Sequence, residues 1–179
     1  MNASTHYPAA PRAEPVNRHT LAVVVDNEPG VLARIAGLFS GRGYNIESLT
    51  VSETEHEKHI SRITIVTTGS NAVIEQIKSQ LERLVPVHRV VDLTTQGEAI
   101  ERELCLVKVA GHGDHRVEAL RLASAFGART LDATLTSFVF ELTGATEDIE
   151  RFISLMTAVG LVEVSRTGIA AMGRGAGGM

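Results

Sequence analysis

The segment Asp26–Val51, DNEPGVLARIAGLFSGRGYNIESLTV, decides how this chain is read. It leaves an apolar stretch through a tight turn, enters an amphipathic helix, turns again and continues as a strand. Val31, Leu32, Ile35, Leu38 and Phe39 recur at helical spacing and give the helix one apolar face. Gly41 and Gly43 end it, glycine being common just past a helix terminus. The turn ahead of the helix suits a small anion. Asn27 offers a side-chain donor and acceptor, Pro29 fits a first helical position, and Gly30 lets a backbone approach closely. The helix start leaves unpaired N–H groups and a partial positive charge, where a carboxylate fits, with Val31 beginning the apolar wall. With no nucleophile, acid–base pair or metal cluster in it, the segment reads as a sensor of a small amino acid.

On either side of this segment the elements repeat. Thr20–Val25 (TLAVVV) is a continuous apolar strand, which predicts a central place in its sheet. Asn45–Ser52 is predicted as the next strand, Glu53–His59 as a charged hairpin connection, and Ile60–Thr68 as a third strand. Ser70 or Asn71 caps a second helix with the face Val73, Ile74, Ile77, Leu81 and Leu84. Pro86 stops it, and Val87–Leu93 forms a fourth strand. The order is βαββαβ, the ferredoxin-like arrangement of two helices on one face of an antiparallel sheet. After the polar connection Thr94–Arg102 the order returns: strand Glu103–Ala110, helix His115–Phe126 with Val117, Leu120 and Ala123 inward, strands Ala128–Ala133 and Ser137–Thr143, helix Asp148–Thr157, strand Leu161–Ser165. Laid over each other, the copies align Gly43 with Gly127 without a gap, but GHGD (Gly111–Asp114) replaces NEPG (Asn27–Gly30). The fold class is therefore α+β: two ferredoxin-like domains at 19–94 and 102–172, a linker at 95–101, a disordered segment at 1–18 and a flexible tail at 173–179. Each copy is small for a stable lone core, and its second strand lies at a sheet edge open to pairing. A homodimer whose edges, or the helices beside them, meet about a two-fold axis is the expectation.

The N-x-P-G-V-L turn and its helix resemble the ACT domain, an amino-acid-sensing module of biosynthetic enzymes. The likeness extends further. HTLAVVVDNEPGVLARIAGLFSGRGYNIESLTV, followed by SRITIVT, VIEQIKSQLERLVPVHRVVDL and ERELCLVKV, is similar to the small regulatory subunit of acetolactate synthase (acetohydroxyacid synthase), with GYNIESLTV as the specific block. The resemblance covers the chain from Arg18 to Met172. It implies a non-catalytic subunit that activates the catalytic (large) subunit and confers feedback inhibition by valine in valine, leucine and isoleucine biosynthesis. Thiamine diphosphate, Mg²⁺ and FAD are implied on the catalytic subunit, with no cofactor in this one. The resemblance also implies a valine site at the dimer interface, on Asn27 and Gly30 and on the pair Asn45-Ile46 from the partner copy. Tyr44, Glu47, Ser48 and Thr50 alternate with apolar residues along the second strand, and some must face outward. They are the expected contact with the catalytic subunit.

Composition bounds the alternatives. In 179 residues of net charge −4 there is no Trp, only two Tyr and no basic run, so a nucleic-acid partner is not expected. No apolar run reaches the roughly 20 residues of a membrane span, and the N-terminus lacks the apolar centre of a secretory signal. A cytoplasmic protein is expected. Cys105, the single cysteine, sits in an apolar strand and reads as a buried, inert thiol. His56/His59 and His112/His115 have metal-like spacing but no further ligands, and read as exposed loop histidines; His88 reads as a half-exposed neighbour of the sheet. GHGD lacks the Lys-Ser/Thr of a P-loop. Glu53/Glu55 and Glu147/Asp148 read as solvated loop acids. Two other classes compete: a stand-alone amino-acid-responsive regulator of transcription or of an unrelated enzyme, and a small enzyme on the same scaffold. The first lacks a DNA-reading helix or basic patch, the second a catalytic constellation.

Overall fold

A computed structural model describes residues 15–95, 97 and 99–179. In the first half, β1 (Asn17–Asp26), α1 (Val31–Gly41), β2 (Ser48–Glu55), β3 (Ile60–Gly69), α2 (Asn71–Leu81) and β4 (Val87–Asp92) follow in βαββαβ order. The strands pair antiparallel in the order β2-β3-β1-β4, which puts β2 at one edge. In the second half, β5 (Ala99–Ala110), α3 (Gly113–Phe126), β6 (Arg129–Ala133), β7 (Ser137–Gly144), α4 (Thr146–Thr157) and β8 (Leu161–Arg166) repeat the arrangement as β6-β7-β5-β8. The chain ends with β9 (Ala170–Gly173), which pairs with the first residues of β5. The mixed α+β architecture with two ferredoxin-like sheets is the one expected.

Alternation along β1 explains its continuous apolar run. Leu21, Val23 and Val25 face the helices and pack with Val31, Ile35, Phe39, Ile74, Ile77 and Leu81. Ala22 faces the opposite side, where Val66, Val91 and Leu93 form a separate core with Ile169 and Ala171 from the chain's end. β1 is thus buried on both faces, as a half-polar strand could not be. The second domain has its own core, built on Cys105, Val107, Val109, Phe138, Phe140, Ile149, Phe152 and Met156.

Several boundaries differ from expectation, each for a physical reason. β1 begins at Asn17, two residues inside the segment expected to be disordered, because Asn17 and Arg18 pair with Gly69 and Thr68; residues 1–14 of that segment lie outside the described residues. β2 starts at Ser48 rather than Asn45 and runs on through Glu55, into the expected hairpin. Gly43 adopts a left-handed φ of 69°, and Asn45 gives its carbonyl to the Thr67 hydroxyl at 2.6 Å instead of to a strand. Ala99–Arg102, assigned to the polar connection, is strand because β9 supplies its partner. Gly173, expected to open the tail, is the last residue of β9. Of the three residues expected inward on α3, Ala123 is buried, together with Ala119, but Val117 and Leu120 are 58% and 42% exposed. Small side chains bring α3 close enough for Phe126 to meet Phe152, ring centroids 5.3 Å apart. Leu32 is likewise exposed on α1.

Ile169 has 4% of its surface exposed and is the largest side chain that the C-terminal segment places on the outer face of the first sheet. Ile169→Ala should lower unfolding stability by about 2–5 kcal/mol. Urea denaturation followed by circular dichroism measures this, and an unchanged midpoint would contradict the role given to this core.

Candidate amino-acid-binding site

β1 delivers the turn Asp26–Gly30 to one end of the first sheet. The Asn27 amide donates to the His59 carbonyl at 2.6 Å, and the Asp26 amide to the Pro86 carbonyl at 3.2 Å, so loops from both neighbouring strands anchor the turn. Gly30 precedes α1 with φ 86° and ψ −5°, a left-handed conformation that costs a side-chain-bearing residue free energy. A Cβ built there would meet nothing within 4 Å, so the space above the turn is open. No side chain caps α1, and its first turn holds no acidic residue. The Val31 amide makes a long 3.4 Å bond to the Glu28 carbonyl, and the next N–H groups and the helix dipole point toward where an external carboxylate would sit. Asn27, Pro29 and Gly30 are exposed around this opening, while Val31 is 5% exposed and belongs to the core, below it.

Glu53, near the end of β2, reaches the same turn. Its carboxylate accepts a hydrogen bond from His56 Nδ1 at 2.8 Å, lies 3.7 Å from His59 Nδ1, and is near enough to the Asn27 side chain to feel it. The His56 hydrogen bond, chiefly, holds its pKa below the ordinary 4.5, with Asn27 and His59 adding to the effect. An ammonium group over the turn would find this carboxylate as its acceptor. From the sequence Glu53 was one of several loop charges; only the β2–β3 register, with Glu53 opposite Ser61, shows where it sits. His88 and Asp26 pair at 2.6 Å on the far side of the turn, with the His88 side chain about half exposed.

Asn45 and Ile46 lie elsewhere. The Asn45 carbonyl is bound by Thr67, the β3 residue opposite His19 at the start of β1. Asn27, just past the end of β1, lies eight residues beyond His19, or about 25 Å at strand rise. One chain therefore does not bring the two halves together.

The four residues expected to face a partner divide. Tyr44 sets its ring edge against Phe39, centroids 6.0 Å apart, and its hydroxyl donates to Gln76 at 3.4 Å. Glu47 is exposed and accepts from the Thr68 hydroxyl. Ser48 and Thr50 turn inward to their own chain: Ser48 Oγ accepts from the Ile169 amide at 3.0 Å, and Thr50 Oγ1 is buried. As side chains they are withdrawn from an outward surface, because the C-terminal segment crosses that face of the sheet. Between the domains lies a cleft of about 580 Å³, with Arg18, Glu47 and Leu49 on one wall and Glu150, Arg166 and Ile169 on the other.

The remaining candidates carry no site geometry. Side chains of His56 and His59 are 90% and 76% exposed. Among the described residues no group of three or more His, Cys, Asp or Glu is placed to hold a metal ion. His112 precedes α3 in extended conformation, φ −127°, unlike Gly30 before α1. Cys105 is buried, and burial raises its thiol pKa. No helix among the described residues is long and apolar enough to cross a membrane.

Two family models match the chain. Residues 21–89 match the AHAS small subunit-like ACT domain, and residues 102–175 match the small subunit of acetolactate synthase. A probable acetolactate synthase small subunit of Archaeoglobus fulgidus is 46% identical over 158 residues, covering 88% of this chain and 98% of its own. The chain belongs to the acetolactate synthase small-subunit family. Within that family, the isozyme 3 small subunit of Salmonella typhimurium is 43% identical over 159 residues, covering 88% of this chain and 96% of that protein. The crystal structure of the Thermotoga maritima small subunit superposes with a TM-score of 0.82 at 36% identity, over 89% of this chain and 99% of that one. The acetolactate synthase small-subunit fold therefore extends through both domains.

Glu53 offers a direct check on the geometry of the turn. A carboxylate held below its ordinary pKa contributes stability above that ordinary value and loses it as pH falls through the depressed one. Carbonyl-detected NMR should show Glu53 titrating below 4.5. In His56→Ala its midpoint should move back up, and an unmoved midpoint would contradict the pairing.

Proposed function

We propose that this chain is the regulatory subunit of an acetolactate synthase: it binds the catalytic subunit, raises its activity and confers feedback inhibition by a branched-chain amino acid, valine foremost. The observation that carries the reading is the separation of the two half-sites. The Asn27–Gly30 turn and the Asn45-Ile46 pair stand at opposite ends of β1, and β2 is an edge strand. Two copies related by a two-fold axis and joined at β2 pair antiparallel. The start of one β2 then lies beside the end of the other. That end carries Glu53, which lies near Asn27. Asn45 and Ile46 of the partner copy thereby close the turn that Asn27, Pro29, Gly30 and Val31 leave open.

In this assembly the effector carboxylate sits on the α1 N-terminus and its ammonium on Glu53 and Asn27. Its side chain lies against Ile46. A ligand clamped between copies favours one dimer geometry, and the catalytic subunit prefers the other. A tenfold change in activation needs only about 1.4 kcal/mol of differential binding, within reach of one hydrogen-bonded Asn. Tyr44 and Glu47, next to the site, are the contact we assign to the catalytic subunit. Thiamine diphosphate, Mg²⁺ and FAD belong in this reading to that subunit, and the complex is cytoplasmic.

Calorimetric titration with valine, leucine, isoleucine and serine, alone and with the catalytic subunit present, tests the reading. Saturable valine binding is expected, weakened about tenfold or more in Asn45→Ala. Gly30→Asp places a carboxylate where the ligand's own should sit, at a left-handed φ, and should abolish inhibition while activation stays. Full valine sensitivity in both variants would remove these residues from the site.

A further inference from the structure

The small segment that follows β8 touches the first domain in an unusual way. Gly168 has φ +81°, and a Cβ built on it would lie 2.8 Å from Ser48 Oγ and 2.9 Å from Thr50 Oγ1. Both distances are closer than side-chain carbons tolerate, so β2 and this segment meet backbone to hydroxyl with no side chain between. The next residue fixes the contact. The Ile169 amide donates to Ser48 Oγ at 3.0 Å, and the Ile169 side chain is buried with Ala22, Val66 and Val91 on the outer face of the first sheet. Arg62, on β3, donates to the Ala171 carbonyl at 2.7 Å, which holds the segment across a second strand.

The other end of the segment belongs to the second domain. Arg166, the last residue of β8, makes two hydrogen bonds to the buried Glu103 of β5, at 2.5 and 2.8 Å. The Thr167 amide donates to the Leu104 carbonyl at 3.0 Å. Gly168–Ile169 therefore has an anchor in each domain. One is the second sheet, through Arg166 and Thr167. The other is edge strand β2, through Ser48, three residues after Asn45.

We infer that Ser48 and Gly168 are positioning residues that transmit the effector state of the first domain to the second. The inference rests on the regulatory reading above. A shift of Asn45 and Ile46 toward a bound amino acid carries Ser48 with it. The Ile169 amide must then follow Ser48 or lose its acceptor, and Gly168 leaves no slack for a side chain to absorb the displacement. The second domain thus reads whether the edge is occupied, without touching the ligand.

The test separates binding from its consequence. In the reconstituted complex, Gly168→Ala crowds the Ser48 and Thr50 hydroxyls at a left-handed φ and disturbs the contact locally while Ile169 stays buried, and Ser48→Ala removes the acceptor while leaving the backbone free. Both should bind valine with Kd within about threefold of the wild type and should activate the catalytic subunit normally. Inhibition at saturating valine should be largely lost, as a coupling that is typically about 5–150-fold falls toward one. A merely structural contact would change binding, activation and thermal stability together. Inhibition to the wild-type residual activity in Ser48→Ala overturns the inference, as does loss of valine binding in both variants. A wild-type complex that binds no valine, leucine or isoleucine overturns the regulatory reading itself, and this inference with it.

Discussion

The structure depends on how the outer face of the first sheet is covered. Two helices on one side of a four-stranded sheet leave the other side bare, and Ala22, Val66 and Val91 point that way. An exposed apolar face of that size invites association. Here the cover comes from the end of the same chain, with Ile169 and Ala171 supplying the buried side chains and β9 tying them to β5. The first domain is complete only when the last residues of the second are in place. This interlock makes one unit of two repeats, each small for a core of its own.

Covering the face leaves the edge open. Among the described residues β2 has β3 on one side and no strand on the other, and the C-terminal segment crosses its side chains without pairing with its backbone. The Asn27–Gly30 turn sits at one end of this edge and the Asn45-Ile46 pair at the other. A fold that merely needed stability would have hidden such an edge. Here the unpaired strand and the separation of the two segments fit the two-fold assembly proposed above.

Much of this was legible in the sequence because its signals are local. The helical period of Ile35, Leu38 and Phe39, the double-sided burial of TLAVVV, and the glycines at 30, 43 and 127 each declare their conformation within a few residues. Even the duplication could be read, since Gly43 and Gly127 end equivalent helices. What stayed hidden was long-range. Ala99–Arg102 is polar enough to pass for a connection, and only β9, some seventy residues on, makes it a strand. Glu53 became part of the candidate site through its register with β3, and Ser48 turned inward because Ile169 arrived beside it. The inward face of α3 departs from its sequence pattern at Val117 and Leu120 for a different reason. The pattern rewards bulky side chains, whereas this helix packs closely through Ala119 and Ala123 and leaves Val117 and Leu120 outside.

The lone thiol gains a use from its location. Cys105 has no exposed surface, lies in the second domain's core and touches neither of the other two. A small thiol reagent can reach it only when that core opens, so the rate of its labelling is a clock for local unfolding of one domain. Because the chain contains no second cysteine, every label this chain takes up reports that one core. It can show, without any engineered label, whether an event at the other end of the molecule tightens or loosens this half.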